Sequence, residues 1–574
     1  MYQIGWGKQE IRVSANGYAM QGYGMWHHRV RGRQTPLLAR AIFLGDEKKR
    51  SAIFCCLDLG YVTHAMREGV CAQLRERMGA AFNQDALVLT CTHTHSGPGG
   101  CTHDVLYNVV TPGFVPDNLE KVVEAAVAAI VQAWQGAAPS ELGLAGGAFD
   151  DAVPVAWNRS LRAYNRNPEV TRRRETETHL ALDRGMQLLS IRRDGQLHAL
   201  LSLFGVHATC VGNSLHDYCG DNKGYAATHA EHALSQAGVK NAVAIFAQAT
   251  AGDVSPHFHG PGQTSRRNKI KGQAEYEYAE RNGRYQSEHA LSLLDETHEE
   301  KIAGDIDAIF SYVDFTDLEA DPAYTNGERG ARTSEPCHGV AFFAGTPVDG
   351  LGIAPPLAAI ARGIARFVKR RRLKSIDRYP PAQQDYYRRL YAAQGAKDIL
   401  LEAGGKRVLG QKLDKLALPG FVDPTVGELK RQARIGAIGQ SAMVPTVLPL
   451  QIIVIGPLAL VCCPGEFTTT AGQRVRQLVA ARLRERKIRH VLLCTYCNDY
   501  MGYVTTLEEY REQAYEGGHT IFGQWTLAAF QTCFAGLADE LLKDAHERRH
   551  DRTTRPRPAP ADELALRTAV AAPR

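Results

Sequence analysis

The 574-residue sequence predicts an α/β fold in which mixed β-sheets are layered with helices. Short apolar runs, typical of buried strands, alternate with longer segments whose apolar residues recur at helical spacing, and this alternation indicates a layered core. Two pairs of predicted strands are joined by short turns, at residues 193–195 and 456–457. Strand pairs of this kind resemble hairpins, so the sequence predicts sheets with antiparallel as well as parallel neighbours.

The individual elements follow from the same patterns. Strands are predicted at the apolar runs of residues 51–57, 86–89, 187–191, 198–204, 242–247, 308–313, 447–455, 458–462 and 490–494. Helices are predicted where apolar residues recur every three or four positions, at residues 64–77, 117–135, 224–236, 272–295, 355–369, 469–484 and 524–546.

Two regions depart from this pattern. Residues 316–441 are rich in glycine, proline and charge with helical patches, and they are predicted to be an insertion or subdomain within one large domain spanning residues 1–545. Residues 546–574 are basic and rich in proline without apolar periodicity, which predicts a flexible tail.

Charge and hydropathy restrict the expected partners. The 67 basic and 61 acidic residues nearly balance, so the net charge of +6 does not indicate nucleic-acid binding. The basic run at residues 366–374 (RFVKRRRLK) lacks an aromatic platform beside it and is interpreted as a solvated helix face. No apolar run approaches the ~20 residues of a membrane-spanning helix, so no transmembrane segment is expected. A homo-oligomer is compatible with this composition.

The placement of the 13 cysteines bears on the compartment. Cys55–Cys56 and Cys462–Cys463 are adjacent pairs inside apolar runs, and neighbours on a strand point to opposite faces, which predicts small buried side chains rather than disulfides. The Cys494-Thr-Tyr-Cys497 pair has no second pair at zinc-ribbon spacing. The N-terminal residues do not resemble a signal peptide, so a cytoplasmic protein is expected.

The most informative motif is residues 92–100 (THTHSGPGG), which follow a predicted strand. His93 and His95 are two residues apart, so on an extended backbone both side chains project from the same face. The glycine-rich turn leaves space for a group to approach the backbone. Neutral imidazole is the commonest metal ligand, so the pair is compatible with a metal or hydrolytic centre, and a hydrogen-bonded histidine pair in a loop is the alternative.

Three further polar residues follow predicted strands in the same way. His207 comes after strand 198–204, Ser255 lies in the turn 248–256 (QATAGDVSP), and Glu466 follows strand 458–462. The proline after Ser255 restricts its backbone, which suits a nucleophile or hydrogen-bond donor, although a simple turn serine is equally compatible. Glu466 could cap the next helix or complete a metal site with two histidines.

Two features are interpreted as structural on residue type alone. His229 and His232 lie on a predicted helix, but their spacing differs from that of the HExxH zinc motif, so they are interpreted as helix surface. The segment 498–515 is rich in tyrosine, and tyrosines usually pack as half-buried aromatics.

Taken together and in order, these motifs resemble the neutral, non-lysosomal ceramidase family. The matching pieces are THTHSGPGG at 92–100, the VH at 206–207 that precedes GDNKGYA at 220–226, AGDVSP at 251–256, PGEFTTTAGQRVR at 464–476 and GYVTTLEEYREQAYEGG at 502–518. They occur in the order of the family, and WNRS at 157–160 fits as well.

The resemblance implies a zinc amidohydrolase that cleaves the N-acyl bond of ceramide into a sphingoid base and a fatty acid. It implies one catalytic zinc ion with four ligands, namely His93, His207, Glu466 and Tyr503. It also implies an active-site serine, a proton shuttle and two contacts to the substrate or its developing oxyanion, which are Ser255, His95, Arg159 and Tyr515 respectively.

This chemistry suits an amide substrate. Zinc lowers the pKa of bound water to ~7, a histidine beside a ligand can relay a proton, and arginine or tyrosine donors can stabilise an oxyanion. Water activated by the metal and Ser255 itself are both open as the nucleophile. Water is favoured because no histidine–carboxylate pair in the sequence is assigned to Ser255.

Three departures from the family pattern concern the substrate. Secreted members carry a signal peptide and a C-terminal immunoglobulin-like domain, neither of which is recognised in this sequence, and no membrane-docking element is recognised either. A soluble amidase or esterase acting on a non-ceramide small-molecule or peptide-like amide is therefore an alternative. A non-catalytic binding protein on the same fold is a second alternative, disfavoured because every candidate ligand is present.

Overall fold

The computed structural model describes residues 1–111, 113–258, 269–294, 299–346, 348–350, 352–417 and 423–569. In chain order its strands are β1 Tyr2–Glu10, β2 Gly32–Arg33, β3 Leu38–Gly45, β4 Ser51–Leu57, β5 Leu87–Cys91, β6 Ala138–Ala148, β7 Trp157–Asn158, β8 Gly185–Arg193, β9 Gln196–Leu203, β10 Asp217–Tyr218, β11 Val243–Ala247, β12 Val254–Ser255, β13 Glu300–Ile302, β14 Ile306–Asp314, β15 Cys337–Gly339, β16 Ile399–Glu402, β17 Arg407–Val408, β18 Gln411–Lys412, β19 Val447–Ile455, β20 Leu458–Cys462, β21 Glu466–Phe467, β22 His490–Cys494 and β23 Tyr503–Val504.

Its α-helices in the same ranges are α1 His64–Met78, α2 Val105–Asn108, α3 Pro116–Gln135, α4 Leu161–Tyr164, α5 Asp221–Gln236, α6 Gln273–Leu293, α7 Val340–Phe343, α8 Pro355–Lys374, α9 Pro381–Gln394, α10 Pro424–Arg434, α11 Thr469–Arg482, α12 Leu507–Glu512, α13 Tyr515–His519, α14 Thr526–Leu541 and α15 Ala561–Arg567. Residue 295, the end of one predicted helix, lies outside the described residues.

Two sheets form the centre of the molecule. The larger has the strand order β11-β9-β8-β6-β1-β3-β4-β5, with β13 also paired to β6, and the smaller has the order β14-β19-β20-β22. The pairs β9–β11, β4–β5 and β20–β22 are parallel, whereas β8–β9 and β19–β20 are antiparallel across the two predicted turns. The prediction of mixed sheets is confirmed.

The two sheets pack face to face, and helices cover their outer faces. On β4, Phe54 and Cys56 face the smaller sheet, where they share a core with Ile453. The alternate residue Cys55 faces α1 and α3 on the opposite side. On β19, Ile452 points away from the larger sheet towards α11 and α14. Since successive strand residues point to opposite faces, β4 and β19 are buried on both faces, which explains their continuous apolar runs.

The cysteine prediction agrees with this packing. None of the 13 cysteines, all of them among the described residues, forms a disulfide, and all but the partly exposed Cys533 are buried. Cys462 belongs to the core between the sheets, and Cys463 belongs to the core beneath α11 and α14. The adjacent cysteines therefore act as small apolar side chains on opposite faces.

Strand β1 was not predicted, because its sequence YQIGWGKQE is polar and contains glycine. Packing against a helix explains why glycine occupies two positions of this strand. A Cβ on Gly5 would lie 2.0 Å from the Ala133 carbonyl oxygen, and one on Gly7 would lie 2.3 Å from that of Ala129. Helix α3 therefore packs directly on the backbone of β1, and only glycine permits this approach.

The region predicted as an insertion or subdomain holds helices α7 to α10 and a separate small sheet of the order β15-β16-β17-β18. Residues 347, 351 and 418–422 of this region lie outside the described residues. The division of the chain into domains stays a prediction.

The C-terminal segment differs from the predicted flexible tail over residues 561–568. Helix α15 packs on the core, and the buried Arg567 guanidinium donates to the Ala437 and His103 carbonyl oxygens at 3.0 Å each and to Ser441 Oγ at 2.9 Å. These hydrogen bonds fix a segment that lacks apolar periodicity. Residues 570–574 are not among those described.

Candidate metal centre and active site

Four chain segments converge at one end of the two-sheet core. His93 follows β5, His207 follows β9, and Glu466 and Tyr503 lie on the short neighbouring strands β21 and β23. These two strands pair in parallel with Glu466 opposite Tyr503. They follow β20 and β22 in the chain, and these two strands are parallel neighbours in the smaller sheet, so their carboxyl ends lie at the same edge.

His93, His207 and Glu466 form a buried group whose candidate ligand atoms all lie within 4.8 Å of one another. Glu466 Oε2 lies 3.0 Å from His207 Nε2 and 3.5 Å from His93 Nε2. Two donors bound tetrahedrally to one ion at 2.0–2.1 Å are about 3.3 Å apart, so these distances suit a small divalent cation.

The tautomers of both imidazoles fit this use. His207 Nδ1 lies 3.0 Å from the Val254 carbonyl oxygen, and His93 Nδ1 lies 2.5 Å from that of Gly60. A ring nitrogen that donates to a carbonyl leaves a lone pair on the other, so both Nε2 atoms face Glu466 as acceptors. Burial lowers the pKa of His93 to about 4, which keeps the ring in its neutral, metal-binding form.

The backbone at His93 is strained. Its φ is 66°, in the left-handed region that costs a residue with a Cβ about 1–3 kcal/mol. The predicted extended backbone is therefore not present, yet the rings of His93 and His95 still lie in contact, edge to face with centroids 4.7 Å apart. His95 Nε2 lies 3.2 Å from His93 Nε2, beside the candidate ligands.

Two tyrosines hold the Glu466 carboxylate. Tyr496 Oη donates to Oε2 at 3.1 Å, and Tyr500 Oη donates to Oε1 at 2.5 Å. Burial alone would raise the pKa of Glu466, but the two histidines and these hydrogen bonds hold it well below its usual range. The alternative of a helix cap is not realised, because the Thr468 side chain caps α11 by accepting from Ala471 N–H.

We expect Tyr500→Phe to weaken metal binding by about 10–100-fold, because removing a group that orients a ligand has effects of this size. Competition with a metal-binding dye measures the affinity directly. Tyr379→Phe, on the segment before α9 and in a side-chain cluster that contains none of the candidate ligands, is the matched control and should leave the affinity unchanged. Equal affinity in both variants would contradict a role for Tyr500 in positioning Glu466.

Tyr503 lies beside the three-residue group. Its hydroxyl is 3.1 Å from His207 Nε2 and accepts from Arg159 Nη2 at 3.0 Å. Its position is compatible with the predicted fourth ligand, and that assignment stays a prediction.

Ser255 is fully buried on β12, which pairs with β7. Its hydroxyl donates to Asp349 Oδ1 at 2.8 Å, and the same oxygen accepts from Thr209 Oγ1 at 2.9 Å. Asp253, from the same GDVSP motif, braces the turn by accepting from the Thr469 N–H and hydroxyl at 2.8 and 2.9 Å. Ser255 is therefore oriented by a carboxylate.

Arg159 connects the serine side of the site to the candidate metal centre. Its guanidinium donates to Asp349 Oδ2 and Glu516 Oε1 at 2.9 Å each, besides its contact with Tyr503. The Arg159 N–H groups thus donate to side chains of the protein itself. Tyr515 opens α13 close by, with its ring 5.4 Å from that of Tyr503 and below the Arg159 guanidinium.

Sequence reasoning did not identify Asp349. It lies between α7 and α8 in the region interpreted as an insertion, and no spacing or strand-end position distinguishes it. Burial alone would raise its pKa, but the Arg159 guanidinium, with His257 and His207, holds the pKa of this carboxyl well below its usual range. It is therefore an ionised carboxylate inside the site.

Fold and site define a layered α/β protein with a buried candidate metal centre beside a serine–aspartate–arginine cluster. The sequence model described as neutral/alkaline non-lysosomal ceramidase, N-terminal, matches residues 2–410 and 432–532. The chain therefore belongs to the neutral/alkaline non-lysosomal ceramidase family, as the motifs predicted.

Individual relatives agree. The chain is 32% identical over 540 residues to a neutral ceramidase of Pseudomonas aeruginosa, covering 94% of this chain and 72% of that protein. It is 31% identical over 590 residues to a neutral ceramidase of Mycobacterium tuberculosis, covering 100% and 83%. A solved ceramidase complexed with C2 superposes with a TM-score of 0.76 at 30% identity, covering 94% of this chain and 75% of that one.

Proposed function

We propose that this chain is a zinc-dependent amidohydrolase that cleaves the N-acyl amide bond of ceramide. The reaction adds water across the amide and releases a fatty acid and a sphingoid base. The observation that carries the proposal is the buried His93, His207 and Glu466 group, with both imidazoles fixed through Nδ1 and the carboxylate between their Nε2 atoms.

The donor set supports zinc within this proposal. Two neutral imidazoles, one carboxylate and a nearby phenol match the nitrogen and oxygen ligands of catalytic zinc sites. When bound, zinc supplies a Lewis acid for the carbonyl and lowers the pKa of water. His95 lies against His93 and is placed to take a proton from the attacking water and give one to the leaving amine.

The contacts of Ser255 favour water as the nucleophile. Its O–H is directed at Asp349, and the Arg159 guanidinium keeps this carboxylate ionised with a low pKa, which makes it a weak base. Asp349 therefore orients the Ser255 hydroxyl without readily accepting its proton. Ser255 is in this proposal a fixed polar group beside the candidate metal centre and not the nucleophile.

The test is removal and return of the metal. Dialysis against a chelator should abolish ceramide hydrolysis, and about one equivalent of Zn²⁺ per chain should restore it, because the site has one set of ligands. Elemental analysis before and after dialysis gives the stoichiometry. Full activity at a metal content below a few per cent would exclude the proposed mechanism.

The substrate is tested separately. Long-chain ceramide and a soluble short-chain N-acyl amide are compared by mass spectrometry of the released amine and fatty acid. We expect hydrolysis of both, with release of free sphingoid base from ceramide. Hydrolysis of soluble amides alone would favour the non-ceramide amidase, and hydrolysis of neither would favour the binding protein.

A further inference from the structure

Helix α8 exposes large apolar side chains and buries small ones. Its buried residues include the small Ala358, Ala361 and Ala365. Its large apolar side chains are exposed, at 59% for Leu357, 59% for Ile360, 41% for Ile364 and 62% for Phe367. A surface helix normally buries its large apolar residues, so this arrangement is reversed.

The exposed side chains form one stripe. Their spacing of three, four and three residues places Leu357, Ile360, Ile364 and Phe367 along one face of the first three turns. Single exposed apolar residues are ordinary, but a contiguous row marks a contact surface.

The charges of α8 indicate what contacts this stripe. The helix contains no acidic residue, and its basic residues are Arg362, Arg366, Lys369, Arg370, Arg371, Arg372 and Lys374. Arg366 pairs with Asp398, and Arg372 pairs with Glu402, whereas Arg370, Arg371 and Lys374 are exposed at the end of the stripe. An apolar face with basic residues around it is typical of helices that lie in the interface of an anionic bilayer.

Self-association explains this face less well. A symmetric contact between two copies would place two helices with basic and no acidic residues against each other, where like charges repel. An anionic lipid surface instead supplies both an apolar layer and negative headgroups. The charge of the helix thus favours lipid over a second copy.

Helix α8 is also coupled to the active site. Ala358 and Ala361 pack on Val340 of α7. On the same short helix, the Phe342 ring contacts the rings of Tyr515 and His519, at centroid distances of 5.4 and 4.0 Å.

The chain path gives a second connection. Leu357 follows Asp349 by eight residues, a span of at most about 29 Å. The stripe therefore begins within about 29 Å of the carboxylate that orients Ser255.

We propose that α8 is a docking helix that inserts its apolar stripe into an anionic lipid surface and so presents the active site to substrate in that surface. The proposal rests on the proposed function in that the substrate is a lipid amide. It replaces the interpretation of residues 366–374 as a solvated face and supplies the docking element that sequence reasoning did not recognise.

Vesicle binding tests the docking directly and requires no catalysis. The full chain is floated with phosphatidylcholine vesicles that contain or lack 30 mol% phosphatidylglycerol. We expect binding to the anionic vesicles, lowered at least about 100-fold by the combined Leu357→Ser, Ile360→Ser and Phe367→Ser substitutions. Substituting Arg370, Arg371 and Lys374 by Gln should weaken binding and flatten its salt dependence.

The control replaces exposed apolar residues outside α8. Leu542→Ser and Leu566→Ser, at exposed sites outside α8, should leave vesicle binding unchanged. Absence of wild-type binding, or equal binding of the α8 serine variant, would overturn the proposal. A concentration-dependent dimer in sedimentation that only the α8 variant abolishes would also overturn it, in favour of a second copy.

Activity separates this proposal from the proposed function. The α8 serine variant should lose hydrolysis of long-chain ceramide in anionic vesicles by about 10-fold or more, and should retain kcat/KM for a soluble short-chain amide. Equal loss on both substrates would contradict docking. If wild type hydrolyses neither substrate but binds vesicles through α8, the docking proposal stands and the proposed function fails.

Discussion

The His93→Ala variant is expected to contain no bound zinc and to lose ceramide hydrolysis by about 10³-fold or more. His93 contributes one of the three clustered donors, and a metal that stabilises a transition state by several kcal/mol accounts for a factor of this size. Elemental analysis and initial rates on the same preparation measure both effects. Normal zinc content with unchanged activity would remove His93 from the centre.

The backbone at His93 provides a way to separate loss of metal from misfolding. Alanine retains the conformational cost of the left-handed φ of 66°, whereas glycine does not. The free energy of unfolding of His93→Gly should therefore exceed that of His93→Ala by about 1 kcal/mol, which raises its unfolding temperature. Both should be inactive. His232→Ala, an exposed histidine on α5, is the matched control and should keep full zinc and activity.

The Asp349→Asn variant is expected to lower kcat/KM by about 10²–10³-fold. Asparagine keeps the shape and can accept from Ser255, but it removes the charge that orients Arg159 and the serine hydroxyl, and losses of this order follow removal of an oriented polar group. If the aspartate acts through Ser255, adding Ser255→Ala to Asp349→Asn should cost little more than either alone. Multiplicative losses in the double variant would show that the two residues act independently.

The free energy of unfolding of the Asp349→Asn variant is measured as well. The Arg159–Asp349 pair is buried at 2.9 Å, so the substitution also destabilises the fold, by at most about 3–5 kcal/mol. Asp539→Asn is the matched control, since its pair with Arg482 has a similar distance of 3.0 Å but is exposed. We expect it to cost below about 1 kcal/mol and no activity.

The layered fold was predictable because most strands are continuous apolar runs. The bounds of β4, β19, β20 and β22 coincide with the predicted ones. Strand β3 was missed although it is central. Its Arg40 is buried in ion pairs with Asp58 at 3.0 Å and Glu231 at 2.8 Å, and a charged residue in the middle of a strand disguises its apolar pattern.

The candidate site was predictable where side chains follow strand ends. His93, His207 and Glu466 each follow a buried apolar run, and the motif order of the family joined them. Asp349 could not be found in this way, because its place in the site depends on how the loop between α7 and α8 folds back on Arg159. The role of α8 was equally hidden, since its apolar spacing is that of any buried helix until the structure shows which face is exposed.

The distribution of the candidate ligands along the chain has a consequence for biosynthesis. His93 and His207 are made early, whereas Glu466 follows His207 by 259 residues and Tyr503 comes later still. Until Glu466 is made, a growing polypeptide therefore offers at most these two imidazoles, which bind zinc weakly. Ion capture becomes a late event that coincides with docking of the C-terminal sheet onto the N-terminal one.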